Sequence, residues 1–267
     1  MTEPASPIFD GHFSGRTVLV TGGARGIGHG IATAFARAGA EVIIVDRDDH
    51  VRQAAEQGRA DGLKITAAQA DVTSESEVKA VFERVAATTG RLDVLINNAG
   101  VITINELENT GLEDFNRVLA VNTTAAFLTA RAALPLLRQR GGVILNAASG
   151  QARQGFIYTP AYAASKFGIV GLSQSLAKEL AADGIRVNCY CPGIVRTDMW
   201  AYNDQEWGRR LGDYAPGELI EEWISEIPLK RPAEVADVAN LLLFLASDAA
   251  GYITGQAINI DGGMFMN

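Results

Sequence analysis

Short apolar runs alternate with amphipathic segments along most of the chain. The runs have the length and composition of buried strands, and there are seven of them: Thr17–Val20, Glu41–Val45, Ile65–Ala70, Leu92–Ile96, a run that begins with Val143–Leu145, Arg186–Cys191 and Ala257–Ile260. Between them, apolar residues recur at helical spacing, as in Ile31–Ala38 and Glu234–Ala246. Repeated strand–helix units of this order predict an α/β fold, in which a doubly wound parallel sheet carries helices on both faces.

Polar residues and proline predict two helix starts and one helix interruption. Ser74–Glu77 and Thr110–Glu113 both have the spacing of a capping box. The second opens a long helical region that contains Asn122. We expect this region to bend or break near Pro135, because proline removes a helical hydrogen bond.

Residues 197–228 differ from the rest because no clean period runs through them. They hold all three tryptophans, Trp200, Trp207 and Trp223. One interpretation is a lid over a substrate pocket; the alternative is a surface excursion whose aromatic side chains pack on the body or on another subunit. We predict a tail at residues 1–14 and a single domain at residues 15–267, with the lid at about 197–228.

Composition limits the classes of partner. The 267 residues, 48% of them hydrophobic, suffice for one well-buried core. A formal net charge of −8 and the lack of a Lys/Arg run argue against nucleic acid. No stretch of roughly 20 consecutive apolar residues indicates a membrane span, and Met1–Ser14 has the pattern of a short tail rather than a secretory signal. The default expectation is a soluble cytoplasmic protein.

Cysteine and histidine offer little for a metal site. Cys189 and Cys191 stand two residues apart in a predicted strand, without the usual geometry of a disulfide, and no further ligand is near them in sequence. The histidines His12, His29 and His50 are scattered through the first fifth of the chain. We expect both cysteines to pack in the core, and no metal cofactor.

A glycine-rich turn, Thr21–Gly28, joins the first predicted strand to the first helix. Glycine lets backbone N–H groups approach a pyrophosphate at the positive end of a helix. Asp46 ends the second strand, 18 residues beyond Gly28, which is close to the spacing of a carboxylate that binds an adenosine ribose. Such a carboxylate repels a 2′-phosphate and favours NAD over NADP, whereas Arg25 and Arg47 could each pair with that phosphate.

Tyr162 and Lys166 stand four residues apart in a helix-forming run, so that both side chains leave the same helical face. A phenol with an ordinary pKa of about 10 is a poor base near pH 7, but a neighbouring ammonium favours the phenolate and lowers that pKa. Tyr162 is therefore a candidate proton-transfer group, with Lys166 as the group that adjusts it. Taken alone, the pair could equally be an ordinary helical surface pair.

Several motifs occur in one order along the chain: Thr21-Gly-x-x-x-Gly-x-Gly28, Asp71, Asn97-Asn-Ala-Gly100, Asn122, Ser149, Tyr162-x-x-x-Lys166 and Pro192-Gly193. In this combination the chain resembles the short-chain dehydrogenase/reductase family, essentially from Gly15 to Gly263. The resemblance implies a single-domain Rossmann-type fold. It also implies an NAD(P)-dependent oxidoreductase that acts on the CH–OH group of a small-molecule alcohol, or on the corresponding ketone.

The resemblance assigns four catalytic residues. Tyr162 would be the acid/base, while Lys166 would lower its pKa and hold the nicotinamide ribose. Ser149 would hydrogen-bond the reacting oxygen, and Asn122 is similar to the residue that holds a water in the proton relay. The positions that would contact NAD are Gly22, Arg25, Gly26, Ile27, Gly28, Asp46, Asp71, Val72, Asn98, Ala99, Gly100, Tyr162, Lys166, Pro192, Gly193, Val195 and Thr197.

Similarity in the C-terminal third indicates family members that oxidise polyols or vicinal diols. Such substrates need polar contacts, for which the candidates are Gln151, Arg153, Gln154, Tyr158, Tyr202 and Asn203, although these residues are equally normal on a solvated loop. Gly150 departs from the polyol pattern, because a polar side chain there could have reached substrate. The family resemblance further implies a homotetramer, with the helices around Asn122 and Lys166 between subunits.

Two alternatives stay open. A 3-oxoacyl carrier-protein reductase would use NADPH and need a basic docking face, which Asp46 and the acidic balance disfavour. A non-catalytic dinucleotide sensor could share the fold, but it would not need the intact set of Ser149, Tyr162 and Lys166.

Overall fold

The structure, a computed structural model, describes residues 7–266. Its strands are β1 (Thr17–Thr21), β2 (Glu41–Asp46), β3 (Ile65–Gln69), β4 (Val94–Asn97), β5 (Gly142–Ala147), β6 (Ile185–Pro192) and β7 (Ala257–Ile260). Its α-helices are α1 (Gly26–Arg37), α2 (His50–Ala60), α3 (Glu75–Thr88), α4 (Leu112–Leu119), α5 (Ala125–Leu137), α6 (Pro160–Glu179), α7 (Asp198–Leu211), α8 (Glu218–Glu226) and α9 (Val235–Ala246).

All seven strands lie parallel in one sheet, in the order β3-β2-β1-β4-β5-β6-β7. The chain builds outward from β1 to β3, returns to pair β4 with β1, and continues in the other direction. In β1, Val18 pairs with Val42 on one side and with Val94 on the other. The predicted doubly wound α/β fold is confirmed, and the strand order reverses at β1 and β4, where such sheets bind ligands.

Alternation along the strands divides the core between the two faces of the sheet. Val18 and Val20 pack with Ile31 and Phe35 of α1 and with residues of α2 and α9. Leu19, between them, points to the other face and joins the apolar residues of α3, α5 and α6. Strands buried on both faces read as nearly continuous apolar runs, which is why they were predictable from sequence.

The polar signals at helix starts were only partly correct. Ser74 accepts a hydrogen bond from the Glu77 amide at 3.4 Å and so caps α3, although the Glu77 carboxylate accepts from the Asp71 amide instead of closing the box. Thr110 does not cap α4. Its hydroxyl donates to the Glu106 carbonyl, and Gly111 is the N-cap residue.

The long helix is interrupted at Asn122 rather than at Pro135, contrary to our expectation. A π-helical turn, Ala120–Thr124, separates α4 from α5, while Pro135 lies inside α5 and the helix continues to Leu137. Pro135 stands in the last turn, two residues before the helix ends. The whole run Leu112–Leu137 is long and apolar enough, by length and composition, to cross a membrane, and 44% of its most apolar window is buried in the protein.

Two segments without a predicted helix or strand, the N-terminal tail and residues 197–228, contain order that we did not expect. Phe13 is fully buried, stacks edge-on against Phe35 and donates its amide to the Ala38 carbonyl, so the core begins before residue 15. Residues 1–6 of the predicted tail lie outside the described residues. The aperiodic segment 197–228 folds largely into α7 and α8.

Candidate active site

A cavity of about 620 Å³ runs along the carboxyl edge of the sheet. The residues that follow five of the strands all line it: Gly22 after β1, Arg47 after β2, Ala70 after β3, Asn98 after β4 and Gly193 after β6. Parallel strands bring their carboxyl ends to one edge, so distant sequence positions converge there. Helix α7 and the C-terminal residues Met264 and Phe265 close the other side.

The glycine turn after β1 is shaped by close backbone approach. Gly22 has φ +67°, and a Cβ there would lie 2.9 Å from the Ala99 Cα; at Gly28 a Cβ would lie 2.1 Å from the Gly22 carbonyl oxygen. No residue but glycine fits either place. Arg25, at the N-cap of α1, makes no side-chain cap hydrogen bond, so the first N–H groups of α1 have no cap from that side chain and face the cavity through Gly26 and Ile27.

Asp46 lies at the carboxyl end of β2, on the cavity wall. Its Oδ2 accepts from the Ala24 amide at 3.2 Å and its Oδ1 from the Asp48 amide at 3.1 Å. These bonds hold the carboxylate beside the glycine turn and leave lone pairs for further donors, since each carboxylate oxygen can accept two. Arg25 and Arg47 line the same end of the cavity.

Helix α6 carries Tyr162 and Lys166 on one face, as predicted, and both line the cavity with Ser149. Tyr162 is half-buried and hydrogen-bonded to Ser149. The Lys166 ammonium lies over the Tyr162 ring, 5.4 Å from its centroid, and donates to the Ala147 carbonyl at the end of β5 at 2.7 Å. The three side chains therefore meet where β5 ends and α6 begins.

Burial controls the protonation of this group. It raises the pKa of Tyr162, and the hydrogen bond with Ser149 opposes the rise. It also lowers the pKa of Lys166 to about 8. The pKa of Tyr162 is therefore raised in this structure and not lowered as we expected, because desolvation by burial is the largest cause of its shift. Tyr162 is thus held as the neutral phenol, the form that can donate a proton.

Asn122 lies beneath the cavity and not on its wall. Its Oδ1 accepts from the Val101 amide at 2.8 Å, and its Nδ2 donates to the Val101 carbonyl at 3.0 Å and to Ser165 Oγ at 2.9 Å. The side chain therefore ties the π turn to the strand-end loop that passes Gly100. Such single π turns occur often at functional sites.

All but one of the positions predicted to contact a dinucleotide line the cavity. The residues that do so are Gly22, Arg25, Gly26, Ile27, Asp46, Asp71, Val72, Asn98, Ala99, Gly100, Tyr162, Lys166, Pro192, Gly193, Val195 and Thr197. Gly28 is packed behind the turn, against Gly22 and the Asn98 side chain.

The other half of the cavity is aromatic. Trp200 and Trp207 of α7 stack at 6.3 Å between ring centroids, and Trp223 of α8 stands edge-on to Trp207 at 5.3 Å. Phe156 contacts both this cluster and Phe265. We call the part of the cavity that is lined by Phe156, Trp200, Trp207, Met264 and Phe265 the aromatic chamber.

The structure explains why residue 150 is a glycine and not a polar residue. A Cβ at this position would lie 2.5 Å from the Phe265 ring, so the place where a polar side chain could have reached substrate is taken by the C-terminal phenylalanine. The departure from the polyol pattern therefore makes room for an apolar wall.

Three of the six polar candidates for substrate contact line the cavity: Gln151, Tyr202 and Asn203. Gln154 and Tyr158 do not line it. Arg153 also lies elsewhere, because its guanidinium donates to Asn259 Oδ1 and to the Ala257 carbonyl and so anchors β7.

The sequence analysis singled out the tryptophans of residues 197–228 but missed Phe156, the C-terminal lining and Tyr190. Tyr190 is fully buried, lines the cavity and donates from its hydroxyl to Asn98 Oδ1 at 3.2 Å. The one available signal was its place in a strand two residues before Pro192-Gly193. Nothing in the sequence indicated that Phe265 returns over Gly150.

Among residues 7–266, one exposed cluster has potential metal ligands within 4.8 Å of one another, formed by Asp48, Asp49 and His50. The Asp48 Oδ1 to His50 Nδ1 hydrogen bond of 2.5 Å accounts for its compactness. Both cysteines are buried and free, as the strand spacing predicted.

The donor set of the cavity fits a nicotinamide dinucleotide. At one end, the uncapped N-terminus of α1 offers N–H groups to a pyrophosphate, and a fixed carboxylate offers acceptors to a ribose. At the centre, a buried lysine and a tyrosine–serine pair can transfer a proton. The fold and the site together define an NAD(P)-dependent alcohol dehydrogenase or reductase.

Comparison with known proteins agrees with the assignment to NAD(P)-dependent dehydrogenases and reductases. A family model described as Enoyl-(Acyl carrier protein) reductase matches residues 22–265. The chain is 39% identical to the L-2,3-butanediol dehydrogenase of Corynebacterium glutamicum, over 94% of this chain and 99% of that protein. It is 38% identical to the 3-oxoacyl-[acyl-carrier-protein] reductase FabG of Staphylococcus aureus, over 94% and 98%.

Among solved structures, a putative NAD(P)-dependent gluconate 5-dehydrogenase from Beutenbergia cavernae, with NADP bound at low occupancy, superposes with a TM-score of 0.86. It is 38% identical and covers 96% of this chain and 98% of its own. The chain belongs to the short-chain dehydrogenase/reductase family.

Proposed function

We propose that this protein is an NAD-dependent oxidoreductase that transfers hydride between a nicotinamide and a secondary alcohol, either a polyol or a vicinal diol. The observation that carries the proposal is the convergence of Ser149, Tyr162 and Lys166 in one cavity whose far end holds Asp46. The butanediol dehydrogenase among the relatives supports the diol class.

In the proposed mechanism, Tyr162 moves the proton of the reacting hydroxyl. A bound nicotinamide would accept hydride from the alcohol carbon or return it to the ketone. In reduction, the neutral phenol of Tyr162, which burial favours, donates the proton. In oxidation, Tyr162 must first lose its own proton, and its phenolate then takes the O–H proton of the alcohol. Ser149, beside Tyr162, would turn its one hydroxyl hydrogen to the reacting oxygen and stabilise the charge that develops there.

Lys166 and Asn122 would support the proton transfer from below. The Lys166 ammonium, close to the tyrosine ring, stabilises negative charge on Tyr162 and would also bind the nicotinamide ribose. Because the Asn122 side chain is engaged with Val101 and Ser165, a water of the relay would be held by the backbone of the π turn. The cavity-lining positions given above for a dinucleotide would hold the cofactor, with Asp46 on the adenosine ribose.

The second candidate is a 3-oxoacyl carrier-protein reductase, favoured by the FabG relative and by NADP in the neighbouring structure. The deciding experiment measures nicotinamide absorbance with NAD⁺ and NADP⁺ against sugar alcohols, vicinal diols and simple secondary alcohols. Turnover of a diol or polyol with NAD⁺ supports our proposal. No turnover of any alcohol with NAD⁺, together with oxidation of NADPH by a 3-oxoacyl thioester, would establish the carrier-protein reductase instead.

The assembly, the location and the role of α7–α8 belong to the proposal as well. We infer a cytoplasmic homotetramer, with α4, α5 and α6 between subunits and the segment at 197–228 acting as a substrate lid. Exposed Phe127 and Phe167, on α5 and α6, support the assembly. Light scattering should give four times the mass of the 28.3 kDa chain, and a monomer would contradict it.

A further inference from the structure

Asn203 is a polar side chain placed in apolar surroundings. It lies on α7, three residues after Trp200 and four before Trp207, so that all three share one helical face. Its side chain is 3% exposed and lines the cavity. Four buried polar side-chain atoms in the described part of the chain have no hydrogen-bond partner, and Asn203 Oδ1 is the one whose residue lines the cavity.

Three polar side chains near Asn203 already have hydrogen-bond partners. Trp207 Nε1 donates to the Ile157 carbonyl at 3.0 Å. Both oxygens of Asp204 accept backbone amides at the start of α8. Gln151 Oε1 accepts from the Thr159 hydroxyl at 2.8 Å. A buried acceptor without a donor is costly, so Asn203 Oδ1, on the cavity wall, would be stabilised by a hydrogen bond from a ligand hydroxyl.

We propose that Asn203 determines specificity by accepting a hydrogen bond from a second hydroxyl on the substrate, next to the reacting carbinol. The aromatic chamber then takes short apolar substituents, so the substrate class is a compact vicinal diol and not a long polyol. The inference rests on the proposed oxidoreductase function and narrows its substrate.

The reaction balances without a further reagent. The reacting carbon of the diol loses hydride to NAD⁺, and its hydroxyl loses the proton to the deprotonated Tyr162, which becomes the neutral phenol; the products are an α-hydroxy ketone and NADH. The second hydroxyl is unchanged and stays bonded to Asn203. A mono-alcohol of the same skeleton would leave Asn203 Oδ1 unpaired, which is how a site built to bind a hydroxyl discriminates.

The test compares kcat/KM for butane-2,3-diol and butan-2-ol, two substrates with one carbon skeleton, in three proteins. The wild type should prefer the diol, and Asn203→Leu should reduce the diol-to-alcohol ratio by roughly 10- to 100-fold. Asn240→Leu is the matched control, because Asn240 Oδ1 is also a buried acceptor without a partner but lies on α9, away from the cavity. It should keep the wild-type ratio.

A ratio is not altered by partial misfolding, which lowers both values together. An Asn203→Leu ratio equal to that of the wild type would overturn the role of Asn203, while turnover of both alcohols would leave the oxidoreductase function standing. If no secondary alcohol reacts with the wild type, the proposed function itself fails. A wild-type kcat/KM for a hexitol above that for the diol would overturn the compact, apolar part of the inference.

Discussion

The two ends of the cavity are built by different means. The dinucleotide end consists of strand termini, where backbone atoms and glycines such as Gly22 and Gly28 approach one another within a few ångströms. The aromatic chamber consists of side chains from α7, the loop before α6 and the C-terminal segment. The dinucleotide end depends on local sequence order, whereas the aromatic chamber depends on packing between segments that are distant in the chain.

The largest expected effect is on turnover, and it comes from changing Tyr162, which lies between the dinucleotide end and the aromatic chamber. Tyr162→Phe removes the proton-transfer hydroxyl, and we expect turnover to fall by about 1,000-fold or more, since general acid–base catalysis contributes roughly 10²–10⁴-fold. Dinucleotide binding, measured by fluorescence titration, should change little. Tyr252→Phe is the matched control, because Tyr252 is fully exposed. A Tyr162→Phe enzyme with a near wild-type rate would reject the mechanism.

The next effect tests whether backbone approach really shapes the dinucleotide end. Gly28→Ala would drive a methyl group against the Gly22 carbonyl, and it should cost about 3 kcal/mol in free energy of unfolding, at the upper end for overpacking. Gly111→Ala is the control, since Gly111 has open space and φ −70°; it should cost less than about 1 kcal/mol. Urea denaturation measures both, and equal losses would refute the steric argument.

These two ends also differed in how far they could be read from the sequence. The order of strands, the glycine turn, Asp46 and the Tyr162–Lys166 pair follow from short-range patterns, because a strand end or a helical face is fixed by a few neighbouring residues. The position of Phe265 over Gly150 was not predictable. It depends on the C-terminal segment returning across about 115 residues of chain, which no local period records.

The same difference explains two wrong predictions, on the helix interruption and on the Tyr162 pKa. Proline is a strong local signal for a break, yet α5 continues two residues past Pro135. The helix is interrupted instead at Asn122, whose side-chain amide is bonded to Val101. The Tyr162 pKa was misjudged because helical spacing reveals a charged neighbour and not the burial of both groups.

The third prediction tests whether Asp46, at the dinucleotide end, selects NAD over NADP. If its carboxylate repels a 2′-phosphate, Asp46→Ser should shift the ratio of kcat/KM for NAD⁺ over NADP⁺ toward NADP⁺ on the order of 100-fold, as expected for losing one close like-charge repulsion. Asp49→Ser is the control, because Asp49 is 80% exposed and does not line the cavity. An unchanged ratio after Asp46→Ser would assign cofactor choice to Arg25 and Arg47.

The smallest expected effect is on the free energy of unfolding, and it comes from burying the Lys166 ammonium between the two ends of the cavity. Below pH 8, both the folded and the unfolded chain carry this proton, so the cost of the buried charge is fully present. Between pH 8 and the ordinary lysine value of 10.5, the unfolded chain binds more protons than the folded one, and the free energy of unfolding therefore rises with pH.

Relative to Lys166→Met, which lacks this titration, the wild type should gain about 2 kcal/mol from pH 7 to pH 10. Urea denaturation at both pH values measures the gain, and Lys178→Met, which removes an exposed lysine from the same helix, should follow the wild type. A wild-type to Lys166→Met difference that stays constant over this range would mean that Lys166 is not desolvated. The raised pKa of Tyr162 would then need a cause other than desolvation of the site that it shares with Lys166.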